Sequence, residues 1–137
     1  MHPAEITSKT ENISKKAIWM GRILSGLPAL FLLVDGIMKL FKPAVVIEAT
    51  VMLGYPETSI IGIGLALLVS TALYLVPRTA LLGAILLTGY LGGAVATHVR
   101  VSDLASALFP PVFGALLWAG LWFRDRRLRE LLPLVQR

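Results

Sequence analysis

No cysteine occurs among the 137 residues. That one absence excludes disulfides, thiol redox chemistry, iron–sulfur ligation and zinc–thiolate sites. Histidine is almost as scarce: His2 and His98 are too few and too far apart for a metal cluster, so no metal site is expected. Charge is scarce too. Asp, Glu, Lys and Arg make up 15% of the chain, against about 25% in a soluble domain. Hydrophobic residues make up 56%. So little charge cannot coat a water-facing surface, and the composition points to a membrane protein.

Uncharged runs then define the fold class. Residues 58–77, 79–99 and 104–123 contain no Asp, Glu, Lys or Arg. Each is close to the ~20 residues that a helix rising ~1.5 Å per residue needs to cross a hydrocarbon core of ~30 Å. A further run, 17–41, is long enough but carries Arg22, Asp35 and Lys39. The expected fold is an all-α integral membrane four-helix bundle over residues 16–123, with spans at about 17–41, 59–76, 80–97 and 105–123. Lys42-Pro43 ends span one, because proline has no N–H for the helix ladder and restricts the residue before it. The apolar segment 44–54 is too short to cross and is expected as a short interfacial helix ended by Gly54-Tyr55-Pro56. Four crossings leave no room for a further soluble domain. The apolar run of span one is also too long for a cleavable signal peptide.

Charge placement sets the expected orientation. Ten of the 13 Lys and Arg residues fall at the N-terminal flank, the Arg78 turn and the C-terminal tail, whereas Lys39, Lys42 and Arg100 fall at the other ends of the spans. The positive-inside rule puts both termini in the cytoplasm, the N-in/C-in arrangement, in a cell inner (plasma) membrane. Residues 1–15 are polar and expected as a short disordered or surface-lying tail. Residues 124–137 are basic and amphipathic, with Leu128, Leu131, Leu132 and Val135 on one helical face that would lie on the membrane. These basic segments suit anionic lipid headgroups. They do not suit nucleic acid, since no aromatic interleaving or binding module accompanies them.

The remaining polar residues collect at one level. By helix rise from Trp19, Asp35 lies roughly 24 Å and Lys39 roughly 30 Å along span one; His98 lies roughly 27 Å along span three. Arg100, Glu48, Glu57 and Tyr55 belong to the same side, and Tyr90 approaches it from within span three. Desolvating an ionisable group in a membrane is expensive, so Asp35, Lys39 and His98 are the candidate catalytic residues. Tyr90, Arg100, Glu48 and Tyr55 are candidate ligand contacts. The structural alternative has equal weight for Asp35 and Lys39: an i, i+4 ion pair on one helix face, with the lysine reaching the interface. For His98 the alternative is an interfacial imidazole satisfied by water or a carbonyl.

Span three is rich in small residues. Gly89 and Gly93 have GxxxG spacing, with Gly92 beside them and Thr97 continuing the stripe. Such a stripe permits close helix contact, either within the bundle or with a partner helix or second copy. Packing within the bundle is the favoured expectation. Gly62-x-Gly64 in span two reads the same way. Trp118 and Trp122 read as an aromatic belt before the terminal arginines.

Several of these features together resemble the DoxX-like family of small four-span membrane proteins. They are Gly36, Lys39 and Leu40 as G-x-x-K-L at the end of span one, the Gly54-Tyr55-Pro56 before span two, and the run from Thr88 to His98, T-G-Y-L-G-G-A-x-x-x-H. A tryptophan in span four followed by "RDRRLRELLP" completes the pattern. The resemblance implies a four-helix membrane fold and carries no catalytic signature. Relatives in that family include subunits linked to thiosulfate oxidation with quinone as acceptor and members of membrane oxidoreductase complexes. More distant relatives act as assembly factors.

Three functions remain open from the sequence. One is a membrane component of a redox or quinone-linked system, with an outer polar pocket holding a lipophilic small molecule such as a quinone. No redox centre is encoded, so electrons would come from a partner or bound cofactor. The others are a non-catalytic assembly or scaffold protein that docks partner helices, and a small acid–base enzyme using Asp35 and His98 on a lipophilic substrate.

Overall fold

The computed structural model describes the backbone of residues 3–131 and the side chains of residues 15–131. His2, Leu132 and Val135 lie outside the described residues. The chain forms α1 (Pro3–Phe41), α2 (Ala44–Met52), α3 (Ile60–Leu75), α4 (Ala80–Arg100), α5 (Leu104–Ala107), α6 (Phe109–Arg124) and α7 (Arg126–Leu131), with a 3-10 turn at Glu57–Ser59 leading into α3. Four stretches are long and apolar enough to cross a membrane: Lys15–Phe41, Glu57–Leu75, Ala80–Arg100 and Leu104–Arg124. The protein is thus an all-α bundle of four membrane-length helices. One expectation needs correction. Residues 3–15, read as a disordered or surface-lying tail, continue α1 without a break. The segment has proline only at the first helical position, where its missing N–H is harmless, and no glycine to interrupt it.

Local chemistry explains the ends. Lys42 leaves α1 in the left-handed region (φ 53°), and Pro43 prevents resumption. Gly54 turns the chain after α2 at φ 89°, where a side chain would be strained. Asp103 caps α5 by accepting the Ser106 N–H at 3.1 Å. Arg129 donates from Nε to the Trp122 carbonyl at 2.7 Å and from a terminal nitrogen to the Phe123 carbonyl at 2.8 Å. It thereby satisfies acceptors in the last turn of α6 and folds α7 back against that helix.

The four long helices form a ring in chain order. α1 packs on α3 and α6, α3 on α4, and α4 on α6, which leaves α1 and α4 diagonal. The interior holds Ala29, Leu32, Leu67, Tyr74, Ala84, Leu87, Leu117 and Leu121. Only 28–33% of each span is buried inside the protein, and the outward residues are equally apolar, among them Leu27, Ile61, Ile85 and Val112. That is the surface a bilayer requires.

Buried polar groups hold the ring together. The Tyr74 hydroxyl lies 2.6 Å from the Leu117 carbonyl and 2.8 Å from the Ser25 hydroxyl. A carbonyl only accepts, so the single tyrosine proton goes to Leu117 and the serine supplies the other bond. One side chain thereby joins α1, α3 and α6. Trp118 does similar work between α6 and α4, its indole N–H donating to Thr88 Oγ1 at 2.7 Å. Trp118, read from the sequence as a belt residue, is thus a bridge within the bundle. Phe31 and Phe113 stack with centroids 4.9 Å apart, adding to the α1–α6 contact.

Candidate functional site

The polar end of the bundle is built from the last turns of α1 and α4, the α2–α3 connection and the loop before α5. Lys39 and Asp35, one turn apart on α1, form an ion pair at 2.5 Å. The lysine is the more enclosed partner, 15% exposed against 38% for the aspartate. Its stem lies on α3: a methyl on Gly64 would meet Lys39 Cβ at 2.8 Å, the Gly36 carbonyl at 3.2 Å and Leu40 Cδ2 at 3.6 Å. The G-x-x-K-L residues therefore all converge on Gly64. This motif docks α1 on α3, and the ion pair neutralises the lysine that close docking encloses.

The connection Leu53–Tyr55 is tied to α4. Thr97 Oγ1 donates to the Gly93 carbonyl at 2.8 Å. Its lone pair is then free for Tyr55, whose hydroxyl donates to it at 2.9 Å. Arg100 donates to the Leu53 carbonyl at 2.5 Å and lies against Gly54. Lys42 pairs with Glu57 at 3.3 Å across the α2 segment. His98 faces Asp103, with Nδ1 3.5 Å from Oδ2 but without hydrogen-bond geometry, so the buried Nδ1 has no hydrogen-bond partner among the described residues. Hydrogen bonds from the Ser106 side chain and amide hold the Asp103 carboxyl below its usual range, and His98 adds to the effect.

Tyr90 is another polar side chain that these pairings leave over. It is half-buried, and its hydroxyl makes no hydrogen bond among the described residues. Asp35 and Tyr55 lie within electrostatic reach of its phenol. Glu48 is exposed on α2 and is not drawn into the group.

The glycines of α4 depart from the expected packing. Gly89, Gly92 and Gly93 have open space where side chains would stand, and so has Gly62. The inward face of α4 is Ala80, Gly83, Ala84, Leu87 and Leu91, which turns the glycine stripe outward. Close contact falls instead at Gly21, Gly36, Gly64, Gly120 and Gly83, at the last of which a Cβ would lie against the Tyr74 backbone. Sequence reasoning passed over Tyr74, Ser25 and Asp103 as a partner of His98. The available signal was general: a hydroxyl in an apolar span needs an acceptor, and in lipid only another helix or its own preceding turn supplies one.

Architecture and polar end together define a small integral membrane protein of four spans with no regular extramembrane domain among the described residues. The chain belongs to the DoxX-like family, whose model matches residues 23–120. Neither a curated protein nor a solved structure matches it. Among the described residues, no group of three or more His, Cys, Asp or Glu could hold a metal ion.

Proposed function

We propose that this DoxX-like protein is a component of a quinone-linked redox system of the inner membrane, with both termini cytoplasmic. Its role is to hold a lipophilic ring against the polar end of α4. The observation that carries this reading is Tyr90, a half-buried phenol packed against the core without a hydrogen-bond partner among the described residues, with the open surface of Gly93 beside it one turn along α4. A planar ring arriving from the bilayer enters at the open Gly93 edge of α4, where the Tyr90 hydroxyl donates to a ring oxygen. Electrons are carried by the ring and a partner protein, since no side chain here supplies a redox centre.

Mass spectrometry of protein purified in mild detergent tests the proposal by detecting retained quinone. Tyr90→Phe is expected to weaken quinone binding about tenfold, and Gly93→Leu to abolish it while the bundle stays folded. A chain that retains no quinone, and binds added quinone equally well as Tyr90→Phe, would sink the idea.

The same glycine face favours a second reading, in which a partner helix or second copy docks at the Gly89–Gly93 spacing. A protein partner lost in Gly93→Leu and unaffected by Tyr90→Phe would select that reading. Acid–base catalysis by Asp35 and His98 has the least geometric support. Asp35 is engaged by Lys39, His98 lies beside Asp103, and the two stand on diagonal helices.

A further inference from the structure

The opposite end of the bundle holds a pocket of about 530 Å³ that the quinone reading does not use. Four arginines line it: Arg22 on α1, Arg78 in the turn between α3 and α4, Arg124 at the end of α6, and Arg127 on α7. They come from three separate parts of the chain, since Arg124 and Arg127 are sequence neighbours, and tertiary structure brings Arg22 and Arg78 to them. One carboxylate, Asp125, shares the lining. It does not neutralise the arginines: Asp125 Oδ1 accepts the backbone N–H of Arg127 at 2.9 Å, and no ion pair joins it to any of the four among the described residues. The rest of the lining is apolar, from Ile18, Pro77, Ala80 and Leu121.

Arg124 is fixed in place by the bundle. Its guanidinium lies over the Tyr74 ring, 5.0 Å from the centroid, and donates to the Tyr74 carbonyl at 3.3 Å. Its Nε is buried without a hydrogen-bond partner among the described residues. A guanidinium stacked on an aromatic face is held rigid and still offers donors in a planar fork, the arrangement that suits a phosphate. Arg22 is held less tightly, over Trp19 at 5.9 Å, and Arg78 and Arg127 are exposed. Four like charges converging on one concavity repel one another unless an anion sits between them.

We propose that this pocket is a binding site for a phosphate group. The arginines receive the phosphate oxygens, and the wall of Ile18, Pro77 and Leu121 lies against the apolar remainder of the ligand. Two sources share that chemistry, an anionic phospholipid headgroup and a soluble phosphate compound, and both reach this end of the spans.

The test uses the full chain and the double variant Arg78→Gln/Arg127→Gln. Both side chains are exposed and form no side-chain hydrogen bond or ion pair among the described residues, so the bundle should survive their loss. Native mass spectrometry compares retention of phosphatidylglycerol with that of phosphatidylcholine after exchange from mixed nanodiscs. Thermal unfolding in detergent compares inorganic phosphate with chloride at equal ionic strength. The expected result is selective retention of phosphatidylglycerol or a phosphate-specific rise in unfolding temperature, either one weakened roughly 10- to 30-fold in apparent affinity by the double variant. Lipid retention identifies the headgroup as the source, and a phosphate response without it identifies a soluble compound. Equal retention of both lipids with no phosphate effect would overturn the proposal, as would a double variant that behaves like the parent protein.

Discussion

Lys39 and Gly64 occupy one place between them: a methyl on the glycine would fall 2.8 Å from the lysine Cβ. Atoms that close must move apart, and here the atoms belong to two helix surfaces. Gly64→Ala is therefore expected to destabilise the bundle by about 1–3 kcal/mol, the usual penalty for overpacking. Gly62→Ala, where space is open, should be neutral or slightly stabilising. Unfolding of the two variants in detergent, followed by circular dichroism, checks the contrast.

The ion pair follows from the same contact. Docking against Gly64 encloses Lys39, and Asp35 compensates its charge. Asp35→Asn should lower stability by about 1 kcal/mol, a modest figure because Asp35 is 38% exposed and partly screened. The double variant Asp35→Asn/Lys39→Met should recover most of that loss. If Asp35→Asn leaves stability intact and abolishes ligand retention alone, the pair is a site rather than a helix clasp.

Tyr74→Phe removes a buried hydroxyl bonded to Leu117 and Ser25; the Leu117 carbonyl keeps its place in the α6 ladder, and the Ser25 hydroxyl loses its partner on α3. The expected cost is about 1–3 kcal/mol. Ser25→Ala should cost less, because the tyrosine keeps its bond to the carbonyl. A shift in the detergent-unfolding midpoint for each variant measures the difference.

Asp103 supplies a pH prediction. Its folded-state value is depressed by the Ser106 hydrogen bonds, so its contribution to capping α5 is fully present above the unfolded value of about 3.9 and is lost as pH falls through the lower folded value. Hydrogen exchange at the Ser106 amide should therefore stay protected through pH 4 and open only in stronger acid. Asp103→Ala should open it at every pH.

The outcome for α4 separates what was legible from what was not. Its length and place in the chain follow from an uncharged run, yet Gly89, Gly92 and Gly93 were expected to pack inward and they face outward. In a water-soluble protein, polar residues mark the outer face of a helix. Here both faces are apolar, so periodicity does not reveal which way the helix is turned. Gly64 and the G-x-x-K-L residues were each visible in the sequence, but their convergence depends on the rotation of α1 against α3. Asp103 caps α5 through a local contact, whereas its approach to His98 depends on the turn that follows α4.

The sequence by itself determined the class of this protein: hydropathy and charge accumulate along the chain, and lengths near the bilayer thickness leave little choice but four spans. Tertiary structure alone decided which helices are neighbours, that Lys39 lies on Gly64, that Tyr90 has no hydrogen-bond partner among the described residues, and that Arg22 and Arg78 share one pocket with Arg124 and Arg127. Those relationships depend on how each helix is rotated about its own axis, and in a chain that is apolar on every face only close packing and buried hydrogen bonds settle that angle.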